Sequence, residues 1–337
     1  MINMYSWNDD TDKWKNASKI GGGYAFKSAK APYLNKMAEE APSGPRTYID
    51  KPGPDMKLVS PLNRDLESLS ADPIHIVLDG TASMQMLPGE FFDRAPLIGK
   101  TLYQYRPSMN GKQGTEISFC VVGDYKWDQW PLQIGQYGKG PAIEKILKAL
   151  HAEGGGGPGI REGYELFAYF ALNHIKTPNA QKPFLFVIGD EMFYPTLHPD
   201  VIKKHIGDTV QGPFDSMELW KEVANRYEVF FLRKPLPPND DKIQAQWSEA
   251  IGSQRVIPVY DVQRVADVIM GAVALKWGEY TDFKVSLSAR QDSAGIASVE
   301  KSLLSAPALL TSGDKPLLIA SKAGINSKGG GGSAAKK

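Results

Sequence analysis

Five short, almost wholly apolar runs constrain what this chain can fold into. They are IHIVLD (74–79), ISFCVVGD (117–124), FLFVIGD (184–190), VFFLR (229–233) and VIPVY (256–260). A strand that is apolar at nearly every position needs cover on both faces. Amphipathic helical patterns lie between most of the runs. In AIEKILKALHAE the residues Ile143, Ile146, Leu147 and Leu150 follow i, i+3, i+4, i+7 spacing, and DVQRVADVIMGAVA places Val262, Val265, Val268, Ile269 and Ala272 on one stripe. Asp215 and Asp261 stand where helix N-caps belong. Strand–helix alternation predicts a Rossmann-like, doubly wound α/β domain with a mostly parallel central sheet and helices on both faces. LQIGQY (132–137) reads as an edge strand returning against 117–123. The segment with Tyr164, Leu166, Phe167, Tyr169, Phe170 and Leu172 is apolar nearly all round and reads as a buried helix.

The predicted domain covers 73–283. Residues 1–72, with a Gly triplet and the run APSGPRTYIDKPGP, read as an extended, partly ordered amino-terminal arm. Residues 284–337, rich in Ser, Ala, Gly and Lys, read as a flexible carboxyl-terminal arm. The 39 Lys plus Arg nearly balance the 38 Asp plus Glu, so a broad electrostatic hold on nucleic acid or a membrane surface is not expected. No run reaches the roughly 18 apolar residues of a membrane helix. The polar start MINMYSWNDDTDKWKN does not read as a signal peptide. A single cysteine, Cys120, excludes an internal disulfide or thiolate metal cluster, and cytoplasmic localisation is expected.

In an open α/β sheet, ligands gather beyond the carboxyl ends of the strands. The first run ends in Asp79-Gly80-Thr81-Ala82-Ser83, the second in Gly123-Asp124 with Asp128 close behind, and the third in Gly189-Asp190-Glu191. Carboxylates on one edge repel unless a cation or donor stands between them. The alternating hydroxyls of Thr81 and Ser83 add neutral oxygen ligands, a set suited to a hard cation such as Mg²⁺. The bland reading is that each Asp caps the following helix.

DGTAS matches the D-x-[ST]-x-S signature of von Willebrand factor type A (vWA) domains, at the end of the first strand. FLFVIGDE resembles the strand carrying that family's later metal-site Asp. AIEKILKALHAEGGGGPG resembles its Gly-rich loop, and WSEAIGSQRVIPVYDVQRVADVIMGAVA its closing helix–strand–helix. The resemblance covers about 74–278, with its pieces in the family's order; more narrowly, GDYKWDQWPLQIGQY, then GGGGPGIREGYELFAYF, then FVIGDE resembles a poorly characterised prokaryotic branch of the family. The resemblance implies a metal-ion-dependent adhesion site (MIDAS): Mg²⁺ or Mn²⁺ held by Asp79, Thr81, Ser83 and Asp190, with a protein partner's acidic side chain completing its coordination. The family's loop Thr is missing; Gly154 to Gly157 stand there. Asp124 or Glu162 is then the expected replacement, the alternative being a vestigial site in a scaffold protein. Tyr125, Trp127, Trp130, Phe193 and Tyr194 are candidate partner-binding anchors around the same edge, or else core under the amino-terminal arm.

Other motifs fail their context. Gly154-x-Gly156-x-x-Gly159 follows a helix, not the strand a dinucleotide site needs. Gly99-Lys100-Thr101 lacks the first glycine of a phosphate loop. Cys120 sits mid-strand and reads as core. A haloacid-dehalogenase-type phosphatase would use Asp79 as nucleophile and Gly123-Asp124-x-x-x-Asp128 for Mg²⁺. Thr81 stands where its general acid belongs, so no enzymatic activity is expected.

Overall fold

The computed structural model describes residues 53–85, 87–106, 114–139 and 141–310. The apolar runs form β1 (Pro73–Asp79), β2 (Glu116–Val122), β4 (Phe184–Gly189), β5 (Glu228–Arg233) and β6 (Val256–Pro258), and β3 is Leu132–Ile134. The sheet order is β6-β5-β4-β1-β2-β3. All pairs are parallel except β2–β3, where Cys120 faces Ile134 and Val122 faces Leu132. The chain winds outward from β1 in both directions, so the strand order reverses between β1 and β4. This is the position where an open sheet leaves a crevice.

Period-2 alternation divides the strands between two cores. Ile74, Ile76 and Leu78 with Phe184, Phe186 and Ile188 face one side; Val77 with Leu185 and Val187 faces the other. The first side is covered by α1 (Leu87–Tyr105), α2 (Pro141–Ala149) and α7 (Val265–Trp277). The second is covered by α3 (Tyr164–His174), α4 (Pro199–His205), α5 (Ser216–Arg226) and α6 (Asp240–Ile251). Asp215 caps α5 by accepting from the Met217 and Glu218 amides, as expected.

Both expected domain limits are corrected. The boundary at 283/284 falls inside α8 (Tyr280–Arg290), which is followed by α9 (Ser293–Leu304). Every residue of α7 from Val265 to Leu275 is buried, so α7 needs cover on its outer side as well. Phe283, Leu287, Val299 and Leu303 supply it. They approach so closely that a Cβ on Gly271 would stand 2.8 Å from Leu303. Composition misled the reading because so few apolar residues suffice for this cover. At the other end, residues 53–72 belong to the body. Val59 is fully buried, Leu66–Glu67 pairs with Ile175–Lys176, and Arg64 donates to the Ile134 carbonyl at 3.1 Å. Residues 1–52 and 311–337 of the two expected arms lie outside the described residues.

Candidate metal centre

β1 delivers Asp79 and β4 delivers Asp190 to the crevice, both fully buried. The sharp turn after β1 folds Thr81 back onto Asp79: Oδ1 accepts from the Thr81 amide (2.9 Å) and from Thr81 Oγ1 (2.6 Å). Ser83 Oγ donates to Asp190 Oδ1 at 2.7 Å. Thr81 Oγ1 and Ser83 Oγ lie 3.2 Å apart. Asp79, Thr81, Ser83 and Asp190 thus form one continuous chain of polar contacts across β1 and β4. Neither Asp acts as a simple helix cap.

The Gly-rich segment is strapped over this turn. The Gly154 amide donates to the Gly80 carbonyl (2.8 Å), and the Ala82 amide to the Gly155 carbonyl (2.8 Å). Asp128 holds the segment from the second-strand side, accepting from the Gly156 amide at 2.6 Å and the Asp124 amide at 2.7 Å. A Cβ on Gly155 would stand 2.0 Å from Asp128 Oδ1, so this backbone has no room for a threonine there. Gly156 adopts φ +101°, and its α-carbon side is pressed on Thr81 and on Glu162 Oε1. Glu162 reaches the site because Arg161–Glu162 pairs with Met192–Phe193, directly after Asp190-Glu191. Its Oε2 is buried and finds no hydrogen-bond partner among the described residues. Asp124 is already engaged: Oδ1 accepts from the Lys126 amide (2.9 Å) and Oδ2 from the Tyr194 hydroxyl (2.8 Å).

The crowding shows in the titration of the acids. Burial, then the nearby Asp190, pushes the Asp79 carboxyl up to about 7. Burial, then Asp79, pushes Glu191 up to about 8, and the same two causes push Glu162 up to about 11. Burial, with repulsion added to it, outweighs the donors available to this edge.

Three participants escaped the sequence reading. Tyr164, the first residue of α3, donates its hydroxyl to Asp79 Oδ2, although its apolar neighbours in sequence read as core. Glu191 adjoins Asp190 and is buried. Lys234, one residue past β5, donates to Asp190 Oδ2 (3.0 Å) and to the Ser83 carbonyl (2.8 Å). The rule that found the aspartates, looking just beyond each strand, would have found Lys234 had it been applied to cations.

Among the described residues no three His, Cys, Asp or Glu side chains converge as a ready cage for a metal ion. The donor set nevertheless fits one. Thr81 and Ser83 each set a hydroxyl against a buried aspartate and against each other, a contact in which either hydroxyl can donate. Its 3.2 Å span is close to the separation of about 2.9 Å between adjacent oxygens of a Mg²⁺ octahedron. The unpartnered Glu162 oxygen is a further candidate donor, beside the Gly-rich segment.

The aromatic candidates divide. Trp127 is 63% exposed and stands against the Gly-rich segment, where a Cβ on Gly157 would meet its ring at 2.3 Å. Tyr194 is half-buried, with the Lys126 ammonium 3.6 Å from its ring centroid. Tyr125 is buried beside Tyr194, ring centroids 5.2 Å apart. Trp130 packs on Gly53 and edge-on against His151. Phe193 is buried against Trp220 and Trp247, which removes it from the rim.

No protein-family model matches this chain, and no curated protein matches its sequence. Solved structures similar to it include the pilus adhesin SpaC from Lactobacillus rhamnosus GG, at 12% identity and TM-score 0.45 over 64% of this chain and 32% of that one. Another is proximal thread matrix protein 1 from the mussel byssus, in a structure with a zinc-occupied MIDAS motif, at 13% identity and TM-score 0.39 over 65% and 49%. A third holds three N-terminal domains of the type V pili tip protein Mfa5 from Porphyromonas gingivalis, at 8% identity and TM-score 0.37 over 57% and 46%. The chain spans a third to a half of the length of these proteins. Similarity at these scores assigns neither family nor function.

Proposed function

We propose that this chain is a vWA-like, metal-ion-dependent protein-binding module. Thr81 and Ser83 would hold Mg²⁺ or Mn²⁺ directly, Asp79 and Asp190 orient those hydroxyls, and Glu162 takes the place of the loop threonine. The ion would supply residual positive charge and an open position for an acidic side chain of a protein partner. The single observation carrying this reading is the pair of hydroxyl oxygens, each bonded to a buried aspartate, held 3.2 Å apart at the strand-order switch. The chain's own residues do the rest. Asp128 and the glycines close the edge from one side, and the exposed Trp127 offers an apolar anchor beside it. No residue set here is assigned a catalytic step.

The test is capture of partners on immobilised protein with and without EDTA. Metal-dependent capture, abolished in Asp79→Ala and Ser83→Ala, is expected. Capture indifferent to EDTA would reject the proposal. A second reading, a scaffold protein whose edge binds no metal, is favoured by one observation: a lysine ammonium already sits on Asp190.

A further inference from the structure

The Lys234 ammonium is nearly buried, with 12% of its side chain exposed, and it bonds a fully buried carboxylate. Its backbone is fixed by the sheet, since the Lys234 amide donates to the Gly189 carbonyl at 2.8 Å, one step beyond the β4–β5 ladder. From that anchor the four-carbon stem crosses β4 to reach both Asp190 and the Ser83 carbonyl. It therefore touches the β1 turn and the β4 end together, the two segments that carry the metal donors. A divalent ion beside Ser83 would stand close to this ammonium, and two cations in a poorly solvated crevice repel strongly. A lysine can yield, because its stem is flexible and its charge is readily hydrated once withdrawn.

We propose that Lys234 is the resident counter-ion of this edge and competes with the divalent ion, so that it sets the metal affinity of the site and neutralises Asp190 when metal is scarce. This rests on the metal-binding reading above, which it deepens. Lys234 is a positioning residue: it acts through Asp190 and Ser83.

The test is Mn²⁺ binding by calorimetry and by electron paramagnetic resonance of free Mn²⁺, on the full chain, for wild type, Lys234→Met and Lys234→Arg. Lys234→Met, uncharged and similar in length, should bind Mn²⁺ about tenfold or more tightly than wild type, the size of an ordinary coupling between two ligands of one site. In EDTA the same variant should melt below wild type, having lost the partner of Asp190, and Mn²⁺ should restore it. Lys234→Arg keeps the charge and should bind Mn²⁺ no more tightly than wild type. Equal affinity in all three proteins overturns the competition and leaves the metal site standing. An equal rise in the Met and Arg variants assigns the effect to packing and also overturns it. Binding by Lys234→Met alone supports the competition and rejects metal dependence of the native chain. Binding by none of them overturns both.

Discussion

Two ends of the same sheet treat buried acids in opposite ways. At the start of β5, Glu228 is surrounded by Lys276 at 3.0 Å and by Arg255 and Lys182 at 3.5 Å. Burial alone would raise its carboxyl, but these three cations together hold it below the usual range. On α7, buried Asp267 is likewise matched, by Arg290 at 2.7 Å and Gln291 at 2.9 Å. At the carboxyl edge Lys234 pairs with Asp190, no salt bridge to Asp79, Glu162 or Glu191 is formed among the described residues, and these three are pushed upward. An acid kept for stability is compensated by its neighbours. A cluster left short of positive charge marks a place where the fold tolerates repulsion, as functional sites do.

The comparison breaks first on Asp267. Replacing it with Ala strands Arg290, whose side chain is only 10% exposed. The expected loss is about 3 kcal/mol by denaturant melts. Asp79→Asn should behave oppositely. In EDTA at pH 8 it should melt no lower than wild type, because it removes a charge from an overcrowded edge. A large loss in Asp79→Asn would show that the edge is as well compensated as Asp267.

Metal should close the gap between the two ends. A hundredfold excess of Mg²⁺ over its Kd stabilises the folded chain by about 2.7 kcal/mol. Calorimetric melting should register that gain in wild type and lose it in Asp79→Ala. An unchanged wild-type melt across millimolar Mg²⁺ and Mn²⁺ would leave the edge without its cation.

The pH dependence follows from the raised acids. Asp79 at about 7, Glu191 at about 8 and Glu165, buried in α3 and pushed by that burial to about 8, bind protons more tightly folded than unfolded. Their stabilising contribution is complete below the unfolded carboxylate range, near pH 4, and is lost as pH rises through 7 to 8. Metal-free protein should therefore melt several degrees lower at pH 8 than at pH 5. Mg²⁺ should flatten that slope, since binding displaces protons. The Glu228 end contributes in the opposite sense, because its lowered carboxyl loses stability only on acidification.

The smallest effect concerns the rim. Trp127→Ala should change stability by less than about 0.5 kcal/mol, as an exposed residue does, yet weaken partner capture. Trp130→Ala, packed on Gly53 and His151, should show the reverse. Trp127 behaving as core would move the recognition surface elsewhere.

Much of this was legible in one dimension. Apolar runs such as FLFVIGD announce buried strands because a two-face-covered strand tolerates few polar residues before its end. The acidic residues after them announce an edge because polar groups can stand only where the cover stops. The missing loop threonine was legible as well; that the backbone at Gly155 lies against Asp128 was not. The sequence also misled. Residues 284–304 read as a polar arm, since scattered apolar side chains in a Ser- and Lys-rich stretch carry little periodic signal.

The sequence by itself determined the α/β class, the strands and the candidate donors Asp79, Thr81, Ser83 and Asp190, because periodicity and residue chemistry are local properties. Only the tertiary structure decided which of them meet and what opposes them. That Glu162 rather than Asp124 is left with a free oxygen depends on Tyr194 reaching Asp124 from 70 residues away. That Asp190 already has a cation depends on β5 lying beside β4 and bringing Lys234 across 44 residues. Contacts of that separation arise from sheet order, and sheet order is set by how whole elements bury their faces together, which no short window of sequence contains.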